Sequence, residues 1–129
     1  MTRVLLVGLK PEAADYSDPA LPKGITPQTI QAGIDLAMKR MTDRGWQAEA
    51  CLIERDATSA VPAIEQQLRN GTYDCVVIGA GVRLPPKNLP LFEAVINAVH
   101  RGAPKAAIAF NLLPEDTGDA AARWLVPAR

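Results

Sequence analysis

The sequence predicts an α/β domain in which a four-stranded parallel sheet lies between two layers of helices. Short apolar runs alternate with amphipathic stretches of helical period, and glycine or proline separates most of them, a pattern typical of repeated β-α units. The most apolar run, within Tyr73–Arg83 (YDCVVIGAGVR), has four consecutive apolar residues followed by two spaced glycines and an arginine. Such a run is expected of a buried central strand that leads directly into a functional loop.

The composition is that of one soluble globular domain covering residues 1–129. Hydrophobic residues make up 48% of the chain and charged residues 22%, values that support a core without crosslinks. Fourteen basic residues balance 14 acidic ones, so we expect neither a nucleic-acid nor a membrane partner. Since the chain has two cysteines and no apolar run of bilayer length, we expect a cytoplasmic protein without a disulfide framework.

The first strand and the first helix flank a long loop. Arg3–Leu9 is an apolar run typical of a strand buried on both faces, and Thr26 followed by Pro27 marks the start of a helix. The segment between them, 10–26, has three prolines and no clear period, and because loops of this length are usually functional we expect a lid. The helix ends near Gly45. Its apolar face consists of Ile30, Ile34, Ala37, Met38 and Met41.

A second strand and a second helix precede the central strand. Residues 46–54 (WQAEACLIE) begin with alternating apolar and polar residues, as expected of an edge strand. The next helix is expected from about Ser59 to Asn70, with Pro62 in its first turn, where a proline is tolerated. After the central strand, a proline-rich turn at 84–88 leads into a third helix. The apolar stripe of that helix is Leu91, Phe92, Val95, Ile96 and Val99, and Gly102 ends it.

A last strand and a last helix complete the chain. Residues 105–111 (KAAIAFN) read as a strand rich in alanine, a residue of low strand preference. The final helix is expected to start near Asp116, with Asp119 as an imperfect capping partner, and to run through Trp124 and Leu125. The predicted element order is βαβαβαβα, which calls for right-handed crossovers and helices on both faces of the sheet.

Two strand orders suit this alternation, 2-1-3-4 as in flavodoxin-like folds and 3-2-1-4 as in dinucleotide-binding domains. Strand two carries Gln47 and Glu49, whereas strand three is the most apolar segment of the chain. A half-polar strand belongs at an edge and a wholly apolar one inside the sheet. We therefore predict the order 2-1-3-4.

This order also predicts where a ligand binds. In open α/β sheets ligands bind beyond the carboxyl ends of the strands, where the strand order reverses, and here that point lies between strands one and three. The residues at these ends, together with the end of the neighbouring strand four, are the candidate ligand-binding residues Gly8, Lys10, Gly79, Gly81, Arg83 and Asn111.

These residue types favour an anionic small molecule. Glycines allow a backbone to approach a ligand, and Lys10, Arg83 and Lys87 supply positive charge for a phosphate or a carboxylate. The stretch 79–81 lacks the third glycine of the dinucleotide fingerprint, and the chain has no Walker lysine motif, so no cofactor is identified. The alternative is that the glycines only shape a tight turn after the strand.

The opening VLLVGLKP, residues 4–11, resembles the start of CoA-binding Rossmann domains. The likeness consists of common apolar residue types and assigns no residue a role. The sequence otherwise points to no particular family.

Other reactive residues have structural explanations. His100 ends the third predicted helix, at the opposite end of the sheet from the crevice, where a histidine suits the helix dipole. Cys51 and Cys75 lie on strands that strand one separates, so we expect small buried residues rather than a disulfide. The acidic residues of the long loop match no calcium-loop spacing. No metal site is predicted.

Three functions remain open. The first, which the sequence favours, is a binding module for an anionic small molecule. The second is an enzyme on an anionic substrate, with Lys10 or Arg83 stabilising charge, although the sequence offers no evident nucleophile or base. The third is a protein-interaction or homo-oligomerising domain that uses exposed parts of Trp46, Trp124 or residues 84–91.

Overall fold

The computed structural model describes residues 1–125, within which four strands form one sheet. The strands are β1 (Arg3–Leu9), β2 (Gln47–Ile53), β3 (Cys75–Ile78) and β4 (Ala107–Phe110). Every neighbouring pair is parallel, and the order is β2-β1-β3-β4. The predicted order 2-1-3-4 is therefore confirmed.

Helices cover both faces of this sheet. They are α1 (Pro27–Asp43), α2 (Ala57–Arg69), α3 (Ala80–Arg83), α4 (Leu89–Gly102) and α5 (Thr117–Ala122). α1 and α5 pack on one face, and α2 and α4 pack on the other, which gives the predicted three-layer arrangement. Among residues 1–125, no helix is both long enough and apolar enough to cross a membrane.

The side-chain alternation of β1 divides the core into two clusters. Val4 and Leu6 belong to the cluster beneath α1 and α5, whereas Leu5 and Val7 belong to the one beneath α2 and α4. All four side chains are buried, because β1 has a strand on each side and helices on both faces. β2, with exposed Gln47 at its start, has the half-polar character predicted for an edge strand.

Local sequence signals position both ends of α1. Thr26 and Thr29 form a reciprocal capping box, in which the Thr29 N–H donates to Thr26 Oγ1 at 3.1 Å and the Thr26 N–H donates to Thr29 Oγ1 at 2.8 Å. Gly45 follows the helix with a φ of 85°, a left-handed conformation that glycine adopts without steric cost. Both ends lie where the sequence predicted them.

Helix α2 begins earlier than predicted. Asp56 caps it by accepting the N–H of Thr58 at 3.1 Å, so the helix starts at Ala57 rather than near Ser59. The prediction that Pro62 lies in the first turn is therefore wrong, since it lies inside the helix. There it removes the N–H that would bond to the Thr58 carbonyl, and the Asp56 cap, not the proline, determines where the helix starts.

The C-terminal helix is shorter than predicted. α5 ends at Ala122, and Trp124 and Leu125 lie after it. Asp119 is not a capping partner, because its carboxylate accepts a hydrogen bond from Arg44 Nη2 at 2.7 Å and so ties α5 to the end of α1. Residues 126–129, the end of the predicted domain range, lie outside the described residues.

A short helix also follows β3 where the sequence predicted only a loop. α3 starts directly after Gly79, and its Ala80 N–H donates to the Asn111 side chain at 2.9 Å. The chain therefore turns sharply at the end of the central strand.

Candidate functional site

A cavity lies beyond the carboxyl ends of β1 and β3, on the face of the sheet that α1 covers. Gly8 continues the row of Leu6 along β1, and a Cβ there would have only Leu52 within 4 Å, at 3.9 Å. Gly79 follows directly after β3, and a Cβ there would stand 3.4 Å from both the Gly8 Cα and the Val7 carbonyl oxygen, so this glycine lets the two strand ends lie close together. The space that remains beneath α1 has a volume of about 70 Å³.

Three parts of the chain enclose this cavity. The long loop 10–26 forms a roof, the first half of α1 forms one wall, and residues 111–114 form the other. The roof and walls are mostly apolar. Their apolar side chains include Leu21, Pro22, Ile25, Ile30, Ile34 and Leu113.

Two polar side chains of the lining form hydrogen bonds, one within the roof and one at the solvent-exposed opening of the cavity, which we call its mouth. Lys10 Nζ contacts Glu54 Oε1 at 2.9 Å, and this hydrogen bond raises the pKa of the Lys10 ammonium group. The Tyr16 hydroxyl donates to the Pro11 carbonyl at 2.6 Å, and burial raises the pKa of the Tyr16 phenol. Both groups keep the charge state they have in water at neutral pH.

The third polar side chain of the lining, Asn111, joins two helix starts. It is buried, its Oδ1 accepts the Ala80 N–H at 2.9 Å, and its Nδ2 donates to Thr117 Oγ1 at 3.1 Å. The Thr117 hydroxyl in turn donates to the Pro114 carbonyl. Asn111 therefore holds the start of α3 and the start of α5 against the end of β4.

Five of the six predicted binding residues line the cavity, and Arg83 does not. Its Nη2 donates to the Asn111 carbonyl at 2.8 Å, and its guanidinium carbon lies 5.5 Å from the centre of the Phe110 ring. The buried Arg83 Nε makes no hydrogen bond. Arg83 therefore packs against Phe110 and the backbone at the end of β4, and it does not line the cavity with Lys10.

Lys87 holds the roof from outside. Its ammonium group contacts the Asp15 carboxylate and lies 3.6 Å from Asp18 Oδ2, so two residues of the loop 10–26 share one cation. The hydrogen bond from Lys87, with further bonds from Ser17, holds the pKa of Asp15 well below its usual range. Within residues 1–125, no group of three or more acidic, histidine or cysteine side chains converges in a way that could hold a metal ion.

The remaining reactive residues lie away from the cavity. His100 is exposed near the end of α4. Cys51 and Cys75 are buried free thiols in opposite core clusters, and burial raises the pKa of Cys75 to about 11.

Comparisons with known proteins identify no relative of this chain. No family model, curated protein or solved structure matches the chain. The candidate site therefore has to be interpreted from its own residues.

Sequence reasoning missed the apolar side chains that cover the crevice and make it a cavity. Leu21 and Ile25 stand in a loop dominated by prolines and charges, and Leu112 and Leu113 follow the last strand. Bulky apolar residues in a loop indicate that the loop packs against another part of the protein, and the sequence contained this signal. The sequence could not show which part of the protein that is.

Proposed function

We propose that this protein binds a small molecule with a mainly apolar body in the cavity beyond β1 and β3. One observation carries the proposal: a roofed apolar cavity lies where the strand order of the sheet reverses. Open α/β sheets bind ligands at this point, and a concave apolar pocket with a few polar groups is the usual form of a small-molecule site.

The size of the cavity indicates that binding involves the roof. A volume of about 70 Å³ is well below the ~300 Å³ at which typical ligand pockets begin. A ligand larger than a few heavy atoms therefore requires the loop 10–26 to move outward. Opening would break the ion pairs of Lys87 with Asp15 and Asp18, which join this loop to the segment after α3, and would expose the buried side chain of Leu21.

The lining favours binding over catalysis. Among the described residues that surround the cavity, the polar side chains are those of Lys10, Tyr16 and Asn111, and each is already hydrogen-bonded to another part of the chain. A nucleophile with an adjacent base, the arrangement that covalent catalysis needs, is not among them.

A thermal-shift screen of small apolar and amphipathic compounds tests the proposal, because a ligand that binds only the native state raises the melting temperature. Gly8→Ala is the diagnostic variant, since its methyl group would meet only Leu52, at 3.9 Å, and would take up space in the cavity. Ala63→Val, at an exposed position on α2, is the control for added bulk elsewhere. Compounds that shift the wild type and Ala63→Val, but not Gly8→Ala, support the cavity as the site, and a broad library without any shift contradicts the proposal.

A second candidate function, self-association through β4, is favoured by exposed apolar side chains. Within the described residues β4 has a strand on one side only. Large exposed hydrophobic residues lie on it or follow it in the chain, namely Phe110, Leu112 and Trp124. Exposed strand edges pair readily with other chains. Sedimentation equilibrium of wild type and Trp124→Asp, a variant outside the cavity lining, tests self-association, since a monomeric wild type contradicts it.

A further inference from the structure

One charged side chain lines the described part of the cavity, that of Lys10. Its backbone N–H donates to the Ile53 carbonyl at 2.9 Å, so the residue leaves the sheet from a point fixed between β1 and β2. The side chain is 41% exposed and so extends from the lining to solvent, as long basic side chains do when their stems lie on apolar surface. The ammonium group therefore stands at the mouth of the cavity.

Glu54 is the present partner of this ammonium group. The pair is half-exposed on both sides, with Glu54 49% exposed, and ion pairs of this kind are weak because water solvates each charge well. An anionic group that enters the mouth can therefore replace Glu54 at little cost. Its own pairing with Lys10 would be stronger, since the ligand body would exclude part of the water.

The other cations around the crevice are engaged elsewhere. Arg83 donates to the Asn111 carbonyl outside the cavity, and Lys87 faces Asp15 and Asp18 on the roof. A phosphate group carries up to two negative charges and three accepting oxygens, and proteins bind it with several donors. A carboxylate needs no more than one ammonium group, and the described lining of the cavity contains one, that of Lys10.

We infer that the ligand is a small monocarboxylate with an apolar body, whose carboxylate replaces Glu54 on Lys10 while the body occupies the cavity, with the loop 10–26 moved outward to admit it. This inference rests on the proposed function, because it specifies the ligand class of the same site. Lys10 is then the residue that distinguishes the acid from neutral molecules of the same shape.

Three probes with one apolar chain test the inference: hexanol, hexanoate and hexyl phosphate. Each is titrated into the isotope-labelled full chain, and the amide shifts of residues around the cavity give its dissociation constant. The variants are Lys10→Met, which keeps the apolar stem without the charge, and Glu54→Gln, which removes the competing carboxylate. Lys39→Met is the control, because Lys39 pairs with Asp43 on the exposed side of α1.

We expect wild type to bind hexanoate about tenfold more tightly than hexanol, the ratio typical of one charge-assisted hydrogen bond at a partly exposed site. Lys10→Met should lose this preference, Glu54→Gln should bind hexanoate more tightly with hexanol unchanged, and Lys39→Met should behave as wild type. Equal binding of hexanoate and hexanol to wild type, an unchanged preference in Lys10→Met, or tighter binding of hexyl phosphate overturns the inference and leaves the proposed function standing. If none of the probes shifts the amides around the cavity, the inference is likewise overturned, and the thermal-shift library then decides whether the proposed function fails as well.

Discussion

Gly8 and Gly79 lie side by side at the ends of β1 and β3, so close that a Cβ on Gly79 would stand 3.4 Å from the Cα of Gly8. The Gly79 N–H donates to the Val7 carbonyl at 2.8 Å, which continues the pairing of the two strands past the end of β3. Gly79 thus allows the two strand ends to lie close together, and the side chain missing at Gly8 leaves part of the space of the cavity.

Alanine substitutions at two glycines should have opposite effects on stability. We expect Gly8→Ala to keep or slightly raise the free energy of unfolding, because its nearest new contact is at 3.9 Å and alanine restricts the unfolded chain. Gly102→Ala should lower it by about 1–3 kcal/mol, the usual cost of overpacking, since its Cβ would stand 2.6 Å from Leu68 Cδ1. Urea unfolding measures both. Equal stability of the two variants would contradict this account of the glycines.

Removing the Asn111 side chain should destabilise the fold around the cavity. In Asn111→Ala the buried Ala80 N–H loses its acceptor and Thr117 loses its donor, and a buried polar group left without a partner costs about 1–3 kcal/mol. The matched control is Asn97→Ala on the exposed side of α4, where the side chain bonds only the carbonyl of Glu93 one turn earlier. Urea unfolding should show a clear loss for the first variant and little change for the second. A similar loss in both variants would mean that the buried hydrogen bonds of Asn111 stabilise the fold no more than the exposed bond of Asn97 does.

The pairing of Glu49 with Arg3 should make stability depend on pH in the acid range. Glu49 Oε2 accepts from Arg3 Nε at 2.6 Å, and Oε1 accepts from Tyr73 and Gln67, each at 3.0 Å. These bonds, that from Arg3 first, lower the pKa of Glu49 below its ordinary value of 4.5. A carboxyl group whose pKa is lower in the folded state stabilises the fold fully above its unfolded pKa, and this contribution is lost as pH falls toward the folded value.

Comparison of wild type with Glu49→Gln isolates this group, since Asp15, whose pKa is also lowered, is present in both. The difference in unfolding free energy should be constant near neutral pH and should shrink as the pH falls below about 4.5. Chemical denaturation at a series of pH values measures it. A difference that stays constant down to about pH 3 would show that the folded state does not lower the pKa of Glu49.

Loss of the Lys87 charge should loosen the roof of the cavity without affecting the core. In Lys87→Met the carboxylates of Asp15 and Asp18 lose their shared cation, so we expect faster amide hydrogen exchange within residues 10–26 and unchanged exchange in β1 and β3. Lys39→Met, which breaks an exposed ion pair within α1, should leave the loop unchanged. Added salt should reproduce part of the effect in wild type, because it screens exposed charges. Uniformly faster exchange throughout the protein would indicate global destabilisation instead.

The amino-acid sequence predicts the alternation of the four strands with α1, α2, α4 and α5, the strand order and the position of the crevice, but not the short helix α3. A strand that is buried on both faces has a continuous apolar run, as β1 and β3 do. The alternation of apolar and polar residues that includes Gln47 at the start of β2 indicates an edge strand. Residues at the ends of these runs, Gly8 and Gly79 among them, could therefore be assigned to the crevice before their surroundings were known.

The apolar, roofed character of the crevice results from contacts between residues that are far apart in the chain. Lys10 and Glu54 are 44 residues apart, and Lys87 and Asp15 are 72 apart, so their pairing depends on how the whole chain folds. The sequence counted these cations as free charges, whereas in the fold each faces a carboxylate and the loop between β1 and α1 brings apolar side chains over the glycines. The local sequence shows which side chains are apolar or charged. Only the folded chain shows which surfaces cover the apolar ones and which charges pair with the charged ones.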